Sequence, residues 1–205
     1  MRRAPAAWRR PAYLPGETKI GQPDVIDTML PYVRTTGCVI QAGGHVGVWA
    51  AALSEHFKRV MAFEPLLHLW QACVDAITAQ NVLVMPCALS RTTGQVTISV
   101  GAVERFGGSS AVAEHGTAFP AIAMDDLPSQ HVANLGAILL DIEGHELVAL
   151  QGAARLIERW KPVIVVEEND KSLRYRRAGE VADYLVRSGY RQVAAFDRDL
   201  VFAVV

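Results

Sequence analysis

Short apolar runs closed by glycine, proline or an acid alternate with stretches of helical spacing along most of this chain. That alternation constrains the fold more than any other feature. CVIQA at 38–42 ends at Gly43-Gly44 and predicts a buried strand. Val46, Trp49, Ala50, Leu53 and Phe57 then keep helical spacing over 46–57. RVMAFE at 59–64 predicts a second strand, and Pro65 opens a helix running to about Ala79. NVLVMPCAL at 81–89 predicts a third strand, and GQVTISV at 94–100 an edge or hairpin strand. Residues 101–120 predict a long irregular loop, functional or mobile. GAILLD at 136–141 and PVIVVE at 162–167 are buried strands flanking one amphipathic helix over 145–160. A helix over 178–189 ends at Gly189, and RQVAAF and LVFAVV close the chain as an antiparallel hairpin around Asp197-Arg198-Asp199. Strands alternating with helices imply a mainly parallel sheet covered on both faces, with antiparallel character at one edge.

Length and composition narrow the classes. The 205 residues fit one domain of ordinary size, and a 51% hydrophobic content excludes a disordered chain. No apolar run approaches the ~18 residues of a membrane helix. A net charge of -1 argues against a dedicated nucleic-acid binder. Residues 1–20 form an irregular basic leader with Arg2, Arg3, Arg9 and Arg10, and residues 21–205 the single domain. Pro5, Pro11 and Pro15 interrupt the leader, so it is no secretory signal and a cytoplasmic location is expected. The leader is expected to be a solvated, mobile arm, with Trp8 its candidate partner-facing aromatic. Residues 22–34 are partly helical, with a break at Pro31. Cys38, Cys73 and Cys87 lie in apolar stretches without metal-ligand spacing and are expected as buried free thiols.

Ala42-Gly43-Gly44-His45-Val46-Gly47 sits between the first strand and the next helix. Glycines there allow a sharp turn and close approach to a ligand. Glu64, 20 residues after Gly44 at the end of the second strand, can accept hydrogen bonds from two ribose hydroxyls. Turn and acid together indicate a nucleoside-cofactor site. With Ala42 in place of the first glycine the segment nearly fits the dinucleotide GxGxxG, but no later segment suggests a nicotinamide pocket. An NAD-dependent oxidoreductase is therefore the least favoured class.

Leu139-Leu140-Asp141-Ile142-Glu143-Gly144-His145-Glu146 places two carboxylates where a strand runs into a helix, on the ligand-binding side of α/β sheets. VIQAGGHVGVW (39–49), VMAFEP (60–65), AMDDL (123–127), LLDIEGHELVALQGA (139–153) and KPVIVVEEN (161–169), in that order, resemble the FkbM family of S-adenosyl-L-methionine (AdoMet)-dependent methyltransferases. The resemblance implies a class I methyltransferase Rossmann-like fold: seven strands in the order 3-2-1-4-5-7-6, strand seven antiparallel, helices on both faces. It further implies AdoMet as cofactor and O-methylation of a small molecule or sugar. Position by position, Gly43, Gly44 and Gly47 would border the cofactor's methionine part, and Glu64 would bind the ribose. Gln41, His45, Pro65, Ala88 and Asp141 complete the expected cofactor contacts, and Asp141 with Glu143 also matches the family's acidic pair at the reaction centre. Three positions depart from the family pattern. Gln41 stands where an acid is usual, His45 where Asn is common, and Leu139 where a Lys often precedes the acids. A neutral Gln41 binds the cofactor's amino group without charge assistance, and the missing cation tends to raise the Asp141 pKa.

Transfer to an alcohol needs a base. Asp141 is the first candidate, with Glu143, His145 and Glu167 behind it. Asp141 with Glu143 could bind Mg²⁺, but two carboxylates underdetermine a metal and no metal site is assigned. Asp125 and Asp126 read as turn or cap residues, His115 as a solvated loop residue, and Trp49 and Trp70 as core. Lys171, Arg174, Arg176 and Arg177 read first as a solvated face, and otherwise as a clamp for an anionic acceptor. The competing reading is a non-catalytic module of the same fold, binding a protein or nucleic-acid partner through the basic leader.

Overall fold

The computed structural model describes residues 6, 7, 9, 25–100, 110–112, 115–168 and 177–205. Strands β1 (Cys38–Ala42), β2 (Val60–Phe63), β3 (Val82–Met85), β8 (Leu135–Leu140), β9 (Val163–Glu167), β10 (Arg191–Phe196) and β11 (Asp199–Ala203) form one sheet. Its order is β10-β11-β9-β8-β1-β2-β3. Counted among themselves these strands run 3-2-1-4-5-7-6, as expected. The four pairs from β3 to β9 are parallel, and β11 runs antiparallel to both β9 and β10.

Alternation along each strand sends side chains to two separate cores. Val39, Val60, Leu139, Val165 and Val201 face one side with Val25, Ile26 and Met29 of helix α1 (Val25–Met29) and Leu53 of α2 (Val48–Ser54). Ile40, Met61, Ile138, Ile164 and Phe202 face the other. There they meet helices α4 (Glu146–Gln151), α5 (Ala154–Trp160) and α6 (Glu180–Arg187). Both faces of the central strands are thus dry, which explains their nearly continuous apolar character. Helix α3 (Leu67–Ala76) lines up behind Pro65, and α1 passes into a 3-10 turn, Leu30–Tyr32, at Pro31. Trp49 is half-buried and packs against the core, while Trp70 is half-buried outside the core clusters, its indole donating to the Val84 carbonyl at 3.1 Å. The three cysteines are free and buried. Among the described residues no helix is long and apolar enough to cross a membrane.

Three sequence expectations need correction. The run 81–89 is not one strand. Pro86 has no N–H to donate to a ladder, so β3 stops at Met85, and Ala88–Leu89 (β4) joins a second sheet. That sheet, ordered β4-β7-β5-β6, contains β5 (Gly94–Val100), β6 (Ser110–Val112) and β7 (Thr117–Ile122). Residues 110–112 and 117–120 of the expected 101–120 loop are therefore strand, while 101–109 and 113–114 lie outside the described residues. In β7 only Ala121 is buried, so the segment lacks the alternation that would have revealed it. Third, the helix expected over 145–160 divides at Gly152. A Cβ on Gly152 would stand 2.1 Å from the Ser90 carbonyl oxygen. The Asp125 carboxylate accepts the N–H groups of Arg155 and Leu156, both at 2.9 Å, and so caps α5 from outside.

At its described residues, 6, 7 and 9, the leader is also more attached than expected. Ala6 N–H donates to Glu55, Thr78 N–H to the Ala7 carbonyl, and Arg9 N–H to the Ala76 carbonyl. Ala7 packs on the apolar cluster of Val46, Ala72 and Ala76. Arg2, Arg3, Trp8 and Arg10 lie outside the described residues.

Gly136 sits at the shift in register between β1 and β8 and lets residue 35 approach the sheet. A Cβ there would stand 1.8 Å from the Thr35 carbonyl oxygen. Gly136→Ala should therefore lower stability by ~1–3 kcal/mol, the usual effect of overpacking. An unchanged urea midpoint would refute this account of the bulge.

Candidate functional site

The carboxyl ends of β1, β2 and β8 open into a pocket of about 240 Å³. That is room for an organic ligand rather than for one water, whose share of liquid volume is ~30 Å³. The position is where parallel sheets bind ligands. The small sheet adds Ala88, Leu89 and Ile98 to its wall.

The first turn is shaped by close approach. Gly43 and Gly44 both donate to the Phe63 carbonyl, at 3.1 and 3.0 Å. Gly43 has φ +84°, and a Cβ there would stand 2.0 Å from the Asp141 carbonyl oxygen. Only glycine meets both conditions. His45, with φ 45°, and Gly43 line the pocket. Gly44 lies against Glu64, and Gly47 packs on Ile77 and Cys73; neither is on the pocket wall. Glu64 is only 5% exposed. One of its oxygens accepts the His45 N–H at 2.9 Å and the other the Leu66 N–H at 3.0 Å. Burial outweighs these two bonds and pushes its carboxyl up to about 7. Pro65 and Leu66 continue the wall.

Gln41 lies beneath this turn, 1% exposed. Its amide nitrogen donates to the Ala42 and Gly43 carbonyls, at 3.1 and 2.9 Å. Two carbonyl acceptors fix which end is nitrogen, so the unpartnered atom is the side-chain oxygen. A buried acceptor left empty is uncommon in folded proteins and calls for a donor.

The second turn is built by Glu146, which is fully buried. Its Oε1 accepts the N–H groups of Ile142, at 3.2 Å, and Gly144, at 3.0 Å. This holds Glu143 at φ 51°, a left-handed conformation rare for a glutamate. Glu146 has no evident role in the sequence alone; its place in the first turn of a helix, two residues after Gly144, is the signal that it closes a turn.

Three further acids meet by register. β8 pairs with β9 at Leu140 and Val166, and β9 with β11 at Glu167 and Asp199. Asp141, Glu167 and Asp199 therefore stand in a row. Carboxylate oxygens of Asp141, Glu143 and Glu167 all lie within 4.8 Å of one another, a spacing that suits a shared proton or a divalent cation. Desolvation first, then the Glu167 charge and a hydrogen bond with Glu167, and then Glu143 and Asp199, push Asp141 well above the usual carboxylate range. Burial and Glu167 lift Asp199 to about 7, with Asp197 adding and Arg198 opposing. Leu139, 1% exposed in the core, brings no cation to this row. Arg198 reaches Glu167 at 3.7 Å from a largely exposed position. Asp199 was missed in the sequence because it reads as a turn residue; its pairing opposite Glu167 is what gives it a place.

His145 occupies the N-cap position of α4, on the pocket wall, with no capping bond from its side chain. Its Nε2 stands 3.3 Å from the Ser90 hydroxyl. Burial, aided by Arg91, pushes the imidazole down to about 4. Asp126 bonds the Thr93 hydroxyl at 2.6 Å, so Asp125 and Asp126 are structural, as expected. His115 is exposed. Arg177 pairs with Asp183, while Lys171, Arg174 and Arg176 lie outside the described residues.

Raised carboxyl pKa values set the sign of pH-dependent stability. Glu64 and Asp199 hold protons in the folded state up to about pH 7 that the unfolded chain has already released. Stability should therefore fall as pH rises from about 4.5 to about 7, by at most about 3 kcal/mol from Glu64. Urea unfolding of ligand-free protein across that range measures it. Glu64→Gln should flatten the slope, and stability rising with pH would contradict the assignment.

A family model for the methyltransferase FkbM domain matches residues 41–192. Comparison with curated proteins gives no significant sequence match. Among solved structures, the chain is similar to methyltransferase FkbM of Methylobacillus flagellatus KT, at 21% identity and a TM-score of 0.55. The alignment covers 82% of this chain and 43% of that one, so the chain spans less than half of that protein's length. It is also similar to precorrin-6y C5,15-methyltransferase of Geobacter metallireducens GS-15, at 13% identity and a TM-score of 0.52, covering 93% of this chain and 92% of that one. Likeness at these identities is a likeness of fold. The family match is broader evidence: it runs from Gln41 in β1 to Gln192 in β10, through both turns that build the pocket, and the chain belongs to the FkbM methyltransferase family.

Proposed function

We propose that this chain is an AdoMet-dependent methyltransferase that acts on a hydroxyl oxygen of a small molecule or sugar. The observation that carries the reading is Glu64, a buried carboxylate on the pocket wall directly beside the glycine turn. Each of its oxygens accepts one backbone N–H and keeps a lone pair for a ribose hydroxyl. The unpartnered oxygen of Gln41, beneath the turn and off the pocket wall, is an acceptor beside the proposed cofactor side, and the glycine required at Gly43 keeps backbone rather than a side chain on the wall. Gly44, His45, Gly47, Pro65 and Ala88 complete the proposed cofactor side, Gly44 and Gly47 by shaping the turn. When bound, AdoMet supplies an electrophilic methyl group carried on a sulfonium.

The chain's own residues would handle position and proton. An acceptor oxygen must be held ~3–3.5 Å from the methyl carbon. Asp141 is the proposed base. Burial, and then its neighbours Glu167, Glu143 and Asp199, hold its proton affinity well above that of an ordinary carboxylate, which suits removal of a hydroxyl proton. Glu143, held on its strained turn, would orient the same hydroxyl. Neither role invokes a metal.

Calorimetric titration with AdoMet and with S-adenosylhomocysteine tests the cofactor. Micromolar binding to the wild type and loss in Glu64→Ala are expected. Absence of binding by a folded sample would favour the non-catalytic module. In a screen of hydroxyl acceptors, Asp141→Asn should keep AdoMet binding and lower kcat by ~10²–10⁴. Undiminished turnover would remove Asp141 from the mechanism.

A further inference from the structure

Ser90 follows β4 directly and is 7% exposed. Its N–H donates to the Ile122 carbonyl at 3.0 Å, and its hydroxyl stands 3.3 Å from His145 Nε2. A buried hydroxyl needs an acceptor for its proton. Among the described residues that imidazole nitrogen is the Ser90 hydroxyl's one side-chain partner. Were the ring to donate instead, the serine proton would be left without an acceptor.

The pair is held from both sides. Gly152, just past α4, presses on the Ser90 carbonyl so closely that a Cβ would stand 2.1 Å from its oxygen. The Gly152 carbonyl accepts the Asp125 N–H at 2.8 Å, and the Arg91 side chain bonds Gln151. The C-terminal end of α4 is thus fastened to the end of β4, and His145 occupies the N-cap position at the opposite end of the same helix without bonding its backbone through the ring. Ser90 stands behind the pocket wall and His145 on it. With Nε2 engaged, the ring's remaining polar atom is Nδ1, which has no hydrogen-bond partner among the described residues.

We infer that Ser90 donates its proton to His145 Nε2 and so fixes the Nδ1–H tautomer, making His145 a hydrogen-bond donor to a ligand oxygen in the pocket and not a base. Ser90 is then a positioning residue. The assignment revises the idea of a neutral His145 that accepts a proton and leaves that role to Asp141. It rests on the methyl-transfer reading only for what the ligand is; the tautomer belongs to the free protein.

The test is a two-bond ¹H–¹⁵N correlation spectrum of uniformly labelled, ligand-free protein near pH 7. The His145 signals are assigned by their loss in His145→Gln. The wild type should show the Nδ1–H pattern. Ser90→Ala should shift the ring toward the Nε2–H form that free histidine prefers, and Ser90→Thr should restore the wild-type pattern. An Nε2–H ring or an imidazolium in the wild type overturns the inference without need of any variant. So does a Ser90→Ala spectrum unchanged from wild type. Because no cofactor is present, these outcomes leave the methyl-transfer reading intact, whereas failure to bind AdoMet would leave the tautomer result standing.

Discussion

Glu64 ties the pocket together. Its two oxygens hold the N–H groups of His45 and Leu66, which belong to the turns after β1 and β2. The Leu66 N–H is buried and the His45 N–H partly so, and Glu64 is the acceptor that satisfies both turns. A carboxylate serves here better than a neutral group because it offers two oxygens and no competing donor. Burial opposes its charge and leaves the carboxyl titrating near neutrality. The free protein therefore carries an energetic imperfection at the place where a ligand's hydroxyls would complete the carboxylate's hydrogen bonds.

A second imperfection lies across the pocket. Parallel pairing of β8 with β9, and antiparallel pairing of β9 with β11, bring Asp141, Glu167 and Asp199 side by side. Glu143 joins them from a turn that Glu146 forces into the left-handed region. Like charges this close cannot all be ionised. The sheet's register, set by apolar residues far below, thereby determines how many protons the edge retains. Packing and acid–base chemistry are one problem at this edge.

The strand order was legible because each central strand is buried on both faces and ends in a glycine, a proline or an acid. Gly43, Glu64 and Asp141 could be read for the same reason: they mark strand ends. What the sequence hid was what depends on distant partners. β7 is mostly exposed and shows no alternation. The division between α4 and α5 follows from contact between Gly152 and Ser90, which no local pattern announces. Asp199 resembles any acid in a hairpin turn until Glu167 stands opposite it. Ser90 attracted no notice because a lone serine after a strand has a role only once His145 is beside it.

The small sheet has a consequence for how such a pocket can change. Its strands β4 and β5 give the wall Ala88, Leu89 and Ile98, yet they form no ladder with the seven-stranded sheet. Glu64 and the glycine turn are anchored in the large sheet, while much of the facing wall belongs to the small one. Substitutions in β5, at Ile98 above all, can therefore reshape the space offered to a second ligand without disturbing the register that sets Glu64 and Asp141. Such a division gives natural variation, or a protein engineer, one surface to alter for selectivity and another to leave alone.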